Sequence, residues 1–233
     1  MTSMQLKKVW GVMHEDDPAL QPESRHVIAE IESEPTGAIE KLGIETLPKD
    51  LVVKHSETEL YWKRVEAAAK SKGIPLVSLE PEESDLSLAY FNTFLADALN
   101  KSAHKNWHAY KKLQAGNPRK KYFPATSEMT KEFERERVTE NRLLEVCFAI
   151  AYRRSQKMLD QAEKQGVTHA IMGQIHTEDF EKQGKPIPKP ILLGGARTTA
   201  REYAKWEKLR PEWYKKHEKL VGKFEEIAKR HFP

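Results

Sequence analysis

Two similar stretches of this sequence place a histidine shortly after an apolar run that ends in glycine. The first stretch is VWGVMHEDD, with Gly11 and His14, and the second is AIMGQIHTED, with Gly173 and His176. Acidic residues follow both histidines, which lie near opposite ends of the chain. Two neutral imidazoles together with one or two carboxylates are ligands that suit Zn²⁺, Mn²⁺, Co²⁺ or Fe²⁺. The repeated pattern therefore predicts a shared polar site, provided that the two apolar runs form neighbouring strands.

Further side chains are expected at the same edge of such a sheet, because the loops at the carboxyl ends of parallel strands line the ligand crevice. Glu45 ends the apolar LGIE of a second predicted strand, and Glu40 in GAIE is its rival if that strand starts earlier. Arg142, in VTENRLL, could hold an anionic group of a substrate with two parallel hydrogen bonds. Gly11 and Gly173 are candidate binding residues, since glycine lets the backbone approach a ligand closely. The competing interpretation is that the two histidines are separate surface residues, that the acids after them cap helices, and that Arg142 is solvated.

The elements that would position these residues alternate along the first hundred residues. Short apolar runs predict strands, and longer stretches with apolar residues at helical spacing predict helices between them. The strands are expected in KKVWGVM, KLGIETL, IPLVSLE and, later, THAIMGQIH; the helices are expected in PESRHVIAEIESE, ETELYWKRVEAAAKSKG and ESDLSLAYFNTFLADALNKS. This β-α-β-α-β-α order is typical of a parallel sheet.

The rest of the chain predicts mostly helix. Residues from about 100 to 128 are polar, basic and aromatic and predict a helical insertion, and residues 130–166 predict one long helix or two in sequence. A C-terminal helix over 199–233 is expected to be interrupted at Pro211. We therefore predict an α/β fold with a mostly parallel sheet flanked by helices. Its core would span residues 1–198, and the C-terminal helical extension would pack on that core.

Composition narrows the classes of protein that this chain could represent. The 233 residues are 39% hydrophobic and 32% charged, and no run approaches the roughly 18 apolar residues that a membrane helix needs. The N-terminal segment lacks the apolar stretch of a signal peptide, which predicts a cytoplasmic protein without a membrane partner. Cys147 is the single cysteine and lies in the apolar run LLEVCFAIAY, so we expect a buried, inert thiol.

The charge pattern argues against nucleic acid as a partner. The net charge is +4, which is too small an excess to indicate nucleic-acid binding by itself. Basic and aromatic residues do cluster in NPRKKYF and in the C-terminal third, but glutamates interrupt the predicted C-terminal helix throughout. That mixture favours a helix that packs on the sheet or forms a homodimer contact.

Taken together, the two Gly-x-x-His motifs resemble the TraB/PrgY–TIKI superfamily, whose relatives include erythromycin esterase-like proteins and ChaN-like haem-binding proteins. The matching residues are Gly11 and His14 in GVMH, Glu45 or Glu40, Arg142 in TENR, and Gly173 and His176 in GQIH. The resemblance implies an α/β core with paired histidines and a glutamate at one pole. It also implies a reaction class, because TIKI proteins are described as divalent-metal-dependent peptidases.

The interpretation that follows is a metal-dependent hydrolase that acts on a peptide or ester bond of a small-molecule or peptide substrate. His14 and His176 would bind Mn²⁺, Co²⁺ or Zn²⁺, Glu45 would be a third ligand or the general base, and Arg142 would stabilise an anionic intermediate. Two alternatives stay open. One is a metal-free esterase-like hydrolase, and the other is a non-catalytic protein that holds haem or an anionic metabolite in the same crevice.

Overall fold

Five short parallel strands form the sheet of this protein. The computed structural model describes residues 6–12, 22–45, 57–100, 122–138, 142–181, 191–193 and 200–233. The strands are Lys8–Val12 (β1), Leu42–Ile44 (β2), Leu76–Ser78 (β3), His169–Gly173 (β4) and Ile191–Leu193 (β5), in the spatial order β3-β2-β4-β1-β5. The helices of the described residues are Pro22–Ser33 (α1), Glu57–Ser71 (α2), Glu83–Asn100 (α3), Phe123–Arg135 (α4), Leu143–Gln165 (α5), Gln174–Glu181 (α6) and Ala200–His231 (α7). The predicted fold class, a parallel α/β sheet with many helices and a C-terminal helix, is confirmed.

The two strands that carry the Gly-x-x-His motifs are neighbours in the sheet. β1 pairs with β4 in parallel, and the register places Gly11 opposite Met172 and Val12 opposite Gly173. β2 pairs with the other side of β4, with Ile44 opposite Ile171. β4 therefore lies between two strands from the start of the chain, and all of its residues are buried. Its sequence, HAIMG, has the apolar run typical of a strand that is covered on both faces.

The chain divides into two compact units, the first of which contains the sheet. This first unit comprises Met1–Glu80 and Ser155–Glu207, and the second comprises Pro81–Arg154 and Lys208–Pro233. In the second unit, helices from the middle of the chain group with the end of α7. The boundary expected at residue 198 falls outside the described residues and stays a prediction. Of the insertion predicted near residues 100–128, residues 101–121 lie outside the described part, and α4 begins at Phe123.

Successive residues of the central strands belong to two different hydrophobic clusters in the first unit. Trp10 and Ile171 belong to a cluster with residues of α1 and α2. Val9 and Met172 belong to a second cluster, which also contains residues of α5 and α6 such as Leu159. Because neighbouring side chains on a strand point to opposite faces, these clusters cover the two sides of the sheet.

The second unit is a helical core built on the apolar stripe of α3. Leu88, Phe91 and Leu95 of that stripe are all buried, and the ring of Phe224 meets the edge of Phe91 at 5.0 Å between centroids. Cys147 is buried in the same core, as the sequence predicts, and burial raises the pKa of its thiol to about 12. This thiol is therefore inert at neutral pH.

The structure decides one open prediction about the helices and contradicts another. The stretch 130–166 contains the end of α4 and the whole of α5, and Arg137 between them has a left-handed φ of 50°. The interruption expected at Pro211 is wrong, since α7 continues through the proline. Arg210 and Trp213, on either side of Pro211, both pack against the ring of Phe148, at 5.1 Å and 5.6 Å. Packing on both sides of the proline offsets the backbone hydrogen bond that it removes. None of the helices in the described ranges is both long enough and apolar enough to cross a membrane.

Gly43, at the centre of β2, fits a space that has no room for a side chain. A Cβ at this position would lie 2.8 Å from Leu79 Cδ2 and 2.9 Å from Val167 Cγ1. We expect Gly43→Ala to lower the free energy of unfolding by about 1–3 kcal/mol, because neighbouring core residues must shift. Gly222→Ala in α7 is the control: its added Cβ meets no described atom within 4 Å, and alanine favours helix by about 1 kcal/mol. Urea unfolding followed by circular dichroism measures both, and equal stability of Gly43→Ala and wild type would contradict the packing described here.

Candidate functional site

The order of the strands identifies a place where a ligand crevice is expected. After β2 the chain continues to β3, which lies on the outer side of β2, whereas after β4 it continues to β5 in the opposite direction. In open parallel sheets, ligands bind at the carboxyl ends of the two adjacent strands where the chain direction diverges in this way. Here that position lies between the ends of β2 and β4.

Glu45 lies at this position because it directly follows β2. Its backbone N–H donates to the carbonyl of Ile171 at 3.0 Å, which extends the β2–β4 ladder by one residue. Its Oε2 accepts the backbone N–H of Gly173, the last residue of β4, at 2.6 Å. The carboxylate is buried, with 6% of the residue exposed, and it lies beside the start of α6, where the helix dipole favours negative charge. Hydrogen bonds to β4 therefore hold both the backbone N–H and the carboxylate of Glu45.

His176 lies in the first turn of α6 rather than in an open loop. The predicted strand THAIMGQIH ends at Gly173, and the helix begins at Gln174. His176 is buried, with 2% exposed, and its Nε2 lies 3.3 Å from Glu45 Oε1. The structure thus brings together two of the residues that the sequence singled out, the second motif histidine and the glutamate after β2.

Ser155 and Asp179 continue this contact on the far side of the imidazole. His176 Nδ1 lies 2.8 Å from Ser155 Oγ, and the Ser155 hydroxyl donates to Asp179 Oδ2 at 2.9 Å. Both residues are fully buried. Glu45, His176, Ser155 and Asp179 therefore form one buried chain of polar contacts, and all four belong to the first unit. We call this chain the Glu–His–Ser–Asp relay.

Ser155 was not among the predicted site residues, whereas Asp179 was one of the candidate carboxylates that follow the second motif histidine. One signal for Asp179 was present: it lies three residues after His176, so that both occupy one face of a helix. The signal for Ser155 was weaker, a polar residue on the same stripe as the apolar Met158 and Leu159 of α5. Glu80 was also missed; it follows β3 at the same edge of the sheet and is buried.

The other predicted site residues have different positions. His14 lies outside the described residues; β1, which precedes it, ends at Val12 opposite Gly173. Gly11 is within β1, opposite Met172, rather than at its end. Glu40 precedes β2 at the opposite edge of the sheet and is exposed, and its hydrogen bond from Lys7, 2.7 Å long, lowers the pKa of its carboxyl.

Arg142 belongs to the second unit, immediately before α5, and its side chain is exposed. Its assignment to the site stays a prediction from the sequence.

The separation between His176 Nε2 and Glu45 Oε1 is informative about what the pair can bind. A charge-assisted hydrogen bond between such atoms is usually about 2.7–2.9 Å long, shorter than the 3.3 Å found here. Two donors that share one tetrahedral ion, at bond lengths near 2.1 Å, lie about 3.4 Å apart. The 3.3 Å spacing fits two ligands of one metal ion as well as a direct contact between the two side chains. Within the described ranges no group of three metal-ligating side chains occurs, so a complete site requires a further donor.

Comparison with protein-family models, with curated proteins and with solved structures found no significant match to this chain. Its functional interpretation therefore depends on the residues of the site.

Proposed function

We propose that this protein is a metal-dependent hydrolase of peptide or ester bonds, with His176 Nε2 and Glu45 Oε1 as two donors to one divalent ion. The observation that carries the proposal is the 3.3 Å separation of these atoms in a buried position at the diverging strands β2 and β4. A mixed nitrogen and oxygen donor set suits Zn²⁺, Co²⁺ or Mn²⁺. Catalytic sites of this kind use three protein ligands and keep one position for water.

His14 is the third donor in this proposal. The pairing of β1 with β4 supports it, because Val12 lies opposite Gly173 and His14 follows Val12 by two residues. The repeated Gly-x-x-His motif then has one explanation, a ligand from each of two neighbouring strands.

The residues of the chain would hold the ion and orient its ligands. A divalent ion such as Zn²⁺, held by these residues, would lower the pKa of a coordinated water to about 7 and would polarise the carbonyl of a substrate. Glu45 is proposed as a ligand rather than a free base, because the Gly173 N–H binds Oε2 while Oε1 lies 3.3 Å from His176 Nε2. Both side chains are buried, which would strengthen their electrostatic interaction with an ion.

The metal content of the purified protein tests the proposal directly. After equilibration with Mn²⁺, Co²⁺ or Zn²⁺ and removal of free metal, elemental analysis should find about one ion per chain in the wild type. His14→Ala and His176→Ala should each lose it. His231→Ala is the matched control, because His231 contacts Glu128 in the second unit, at 3.0 Å, and this variant should retain the ion. Absence of metal in the wild type, or unchanged content in both site variants, would refute the proposal.

Hydrolysis is then tested on a panel of peptides and esters, with and without chelator. Activity that a chelator abolishes supports the proposal, whereas activity that persists in chelator favours the metal-free esterase-like alternative. Metal or haem uptake without hydrolysis favours a binding protein.

A further inference from the structure

We propose that His169, the first residue of β4, is an acid-sensitive contact: its neutral imidazole keeps the amino-terminal end of β4 closed against β1 and β2, and its protonation loosens that end. His169 is buried, with 4% of the residue exposed, and the proposed hydrolase makes no use of it. The inference concerns the edge of the sheet opposite Glu45 and His176, and it does not depend on whether a metal ion binds there.

The neighbours of His169 in the sheet are a lysine on one side and an apolar residue on the other. The parallel register places Lys8 of β1 and Leu42 of β2 opposite His169. The His169 ring lies 5.7 Å from the fully buried ring of Trp10, between centroids. Hydrogen bonds to α1, including one to Glu30 at 3.0 Å, hold the Lys8 ammonium in place. An imidazolium here would therefore have a cation beside it and apolar groups around it, and both features are destabilising.

The carboxylates near His169 already have lysine partners. Glu34 Oε1 accepts from Lys8 at 2.5 Å, and Glu40 Oε1 accepts from Lys7 at 2.7 Å. These hydrogen bonds lower the pKa of both carboxyls. Both carboxyls therefore stay ionised at any pH at which an imidazole titrates.

Burial is the largest influence on the imidazole, and it lowers the pKa of His169. The charges of Glu34 and Glu40 raise this pKa, whereas those of Lys8 and Lys7 lower it further. The folded protein therefore favours the neutral imidazole. The contribution of that imidazole to stability is fully present above the ordinary histidine pKa of about 6.5, and it is lost as the pH falls from there through the lowered pKa of the folded protein.

His169 lies where three segments of backbone meet. Its N–H and that of Thr168 donate to the carbonyl of Lys41, at 3.2 Å and 3.1 Å, which joins β4 to the start of β2. The Thr168 carbonyl accepts the N–H of Lys7 at 2.7 Å, which joins β4 to the start of β1. His169 Nδ1 lies 3.1 Å from Thr168 Oγ1, which also accepts the N–H groups of Glu40 and Lys41. Both nitrogens of an imidazolium are donors, so a protonated Nδ1 competes with those N–H groups for the same oxygen.

Hydrogen exchange of backbone amides tests the proposal when it is measured by NMR on the full chain from about pH 8 to about pH 5 and corrected for the intrinsic exchange rate. As the pH falls, the N–H groups of Thr168 and His169 should lose protection several-fold. The N–H of Leu79, which donates to Ile44 at 2.9 Å at the other edge of the sheet, should lose less. In His169→Gln the loss at Thr168 should disappear, because glutamine does not titrate. In the wild type, the His169 side chain should become protonated at a lower pH than in the urea-unfolded chain.

Lys8→Gln is a second variant, which changes the charge beside the imidazole rather than the imidazole itself. Removal of this cation leaves Glu30 and Glu34 to favour the imidazolium. His169 should therefore titrate at a higher pH than in the wild type, and the loss of protection should be smaller. Lys131→Gln, at an exposed position of α4 in the second unit, is the matched control and should change neither quantity.

Four results would overturn the inference. The first is a wild-type His169 that becomes protonated at the same pH as in the unfolded chain or at a higher one. The second is an equal loss of protection at Thr168 and Leu79, and the third is a loss of wild-type size in folded His169→Gln. The fourth is an unchanged titration of His169 in folded Lys8→Gln, which decides the matter if His169→Gln does not fold. The proposed hydrolase is judged separately, by metal content.

Discussion

Glu45→Gln should abolish metal retention, whereas Glu40→Gln should leave it unchanged. The two glutamates are rivals in the sequence, but Glu45 is buried 3.3 Å from His176 Nε2, and Glu40 is exposed beside Lys7. Glutamine keeps the shape of the side chain and can still accept the Gly173 N–H, so the fold should persist. The lost charge removes a ligand, and we expect a fall in metal affinity on the order of a hundredfold or more, beyond the effect of an outer partner.

Isothermal titration with Zn²⁺ or Mn²⁺ measures this difference, and urea unfolding of metal-free protein accompanies it. Glu45→Gln should remain folded, because glutamine can still accept the Gly173 N–H. Metal affinity that falls equally in Glu40→Gln and Glu45→Gln would contradict the assignment of Glu45.

The largest expected effect on stability comes from Trp10. Its side chain is fully buried in β1, within the cluster that contains Val27, Ile31 and Ile171. Trp10→Ala would leave a large cavity on one face of the sheet, and we expect it to lower the free energy of unfolding by about 3–5 kcal/mol.

Trp10→Phe is the matched control for this substitution. Trp10 Nε1 has no hydrogen-bond partner among the described groups, so phenylalanine keeps an aromatic ring and removes only an unpaired donor. Its loss of stability should therefore be clearly smaller than that of Trp10→Ala. Denaturant unfolding followed by far-UV circular dichroism compares the two, and equal losses would show that the volume of the ring does not determine stability here.

The apolar runs predict the sheet well because parallel strands that are buried on both faces consist of nearly continuous apolar residues. Each predicted strand contains an observed strand, although the observed ones are shorter: KLGIETL contains the three-residue β2, for example. Strand ends depend on neighbouring strands, and single-sequence patterns carry no information about them. Pro211 shows that tertiary packing can also override a local sequence signal. Packing against Phe148 lets α7 continue through a residue that usually ends a helix.

The sequence indicated residues of the candidate site only where a side chain able to bind a metal ion follows closely after a predicted strand. The spacing of the second motif indicates His176, but the choice between Glu40 and Glu45 depends on register, which pairing with β4 determines. Thr168 contributes to that register, because its hydroxyl accepts the backbone N–H of Glu40 at 3.2 Å. The contact of Ser155 with His176 joins two helices, and no periodicity in either helix encodes it.

The position of β4 has a consequence for how the molecule assembles. β4 lies between β1 and β2, yet it is synthesised well over a hundred residues after either of them. A growing chain on the ribosome therefore holds two strands that are not neighbours in the finished sheet before the strand that lies between them is made. Contacts so distant in sequence form slowly, because a long loop must close before they stabilise anything. We expect Glu45 and His176 to meet late in folding, so that a truncated product has no site.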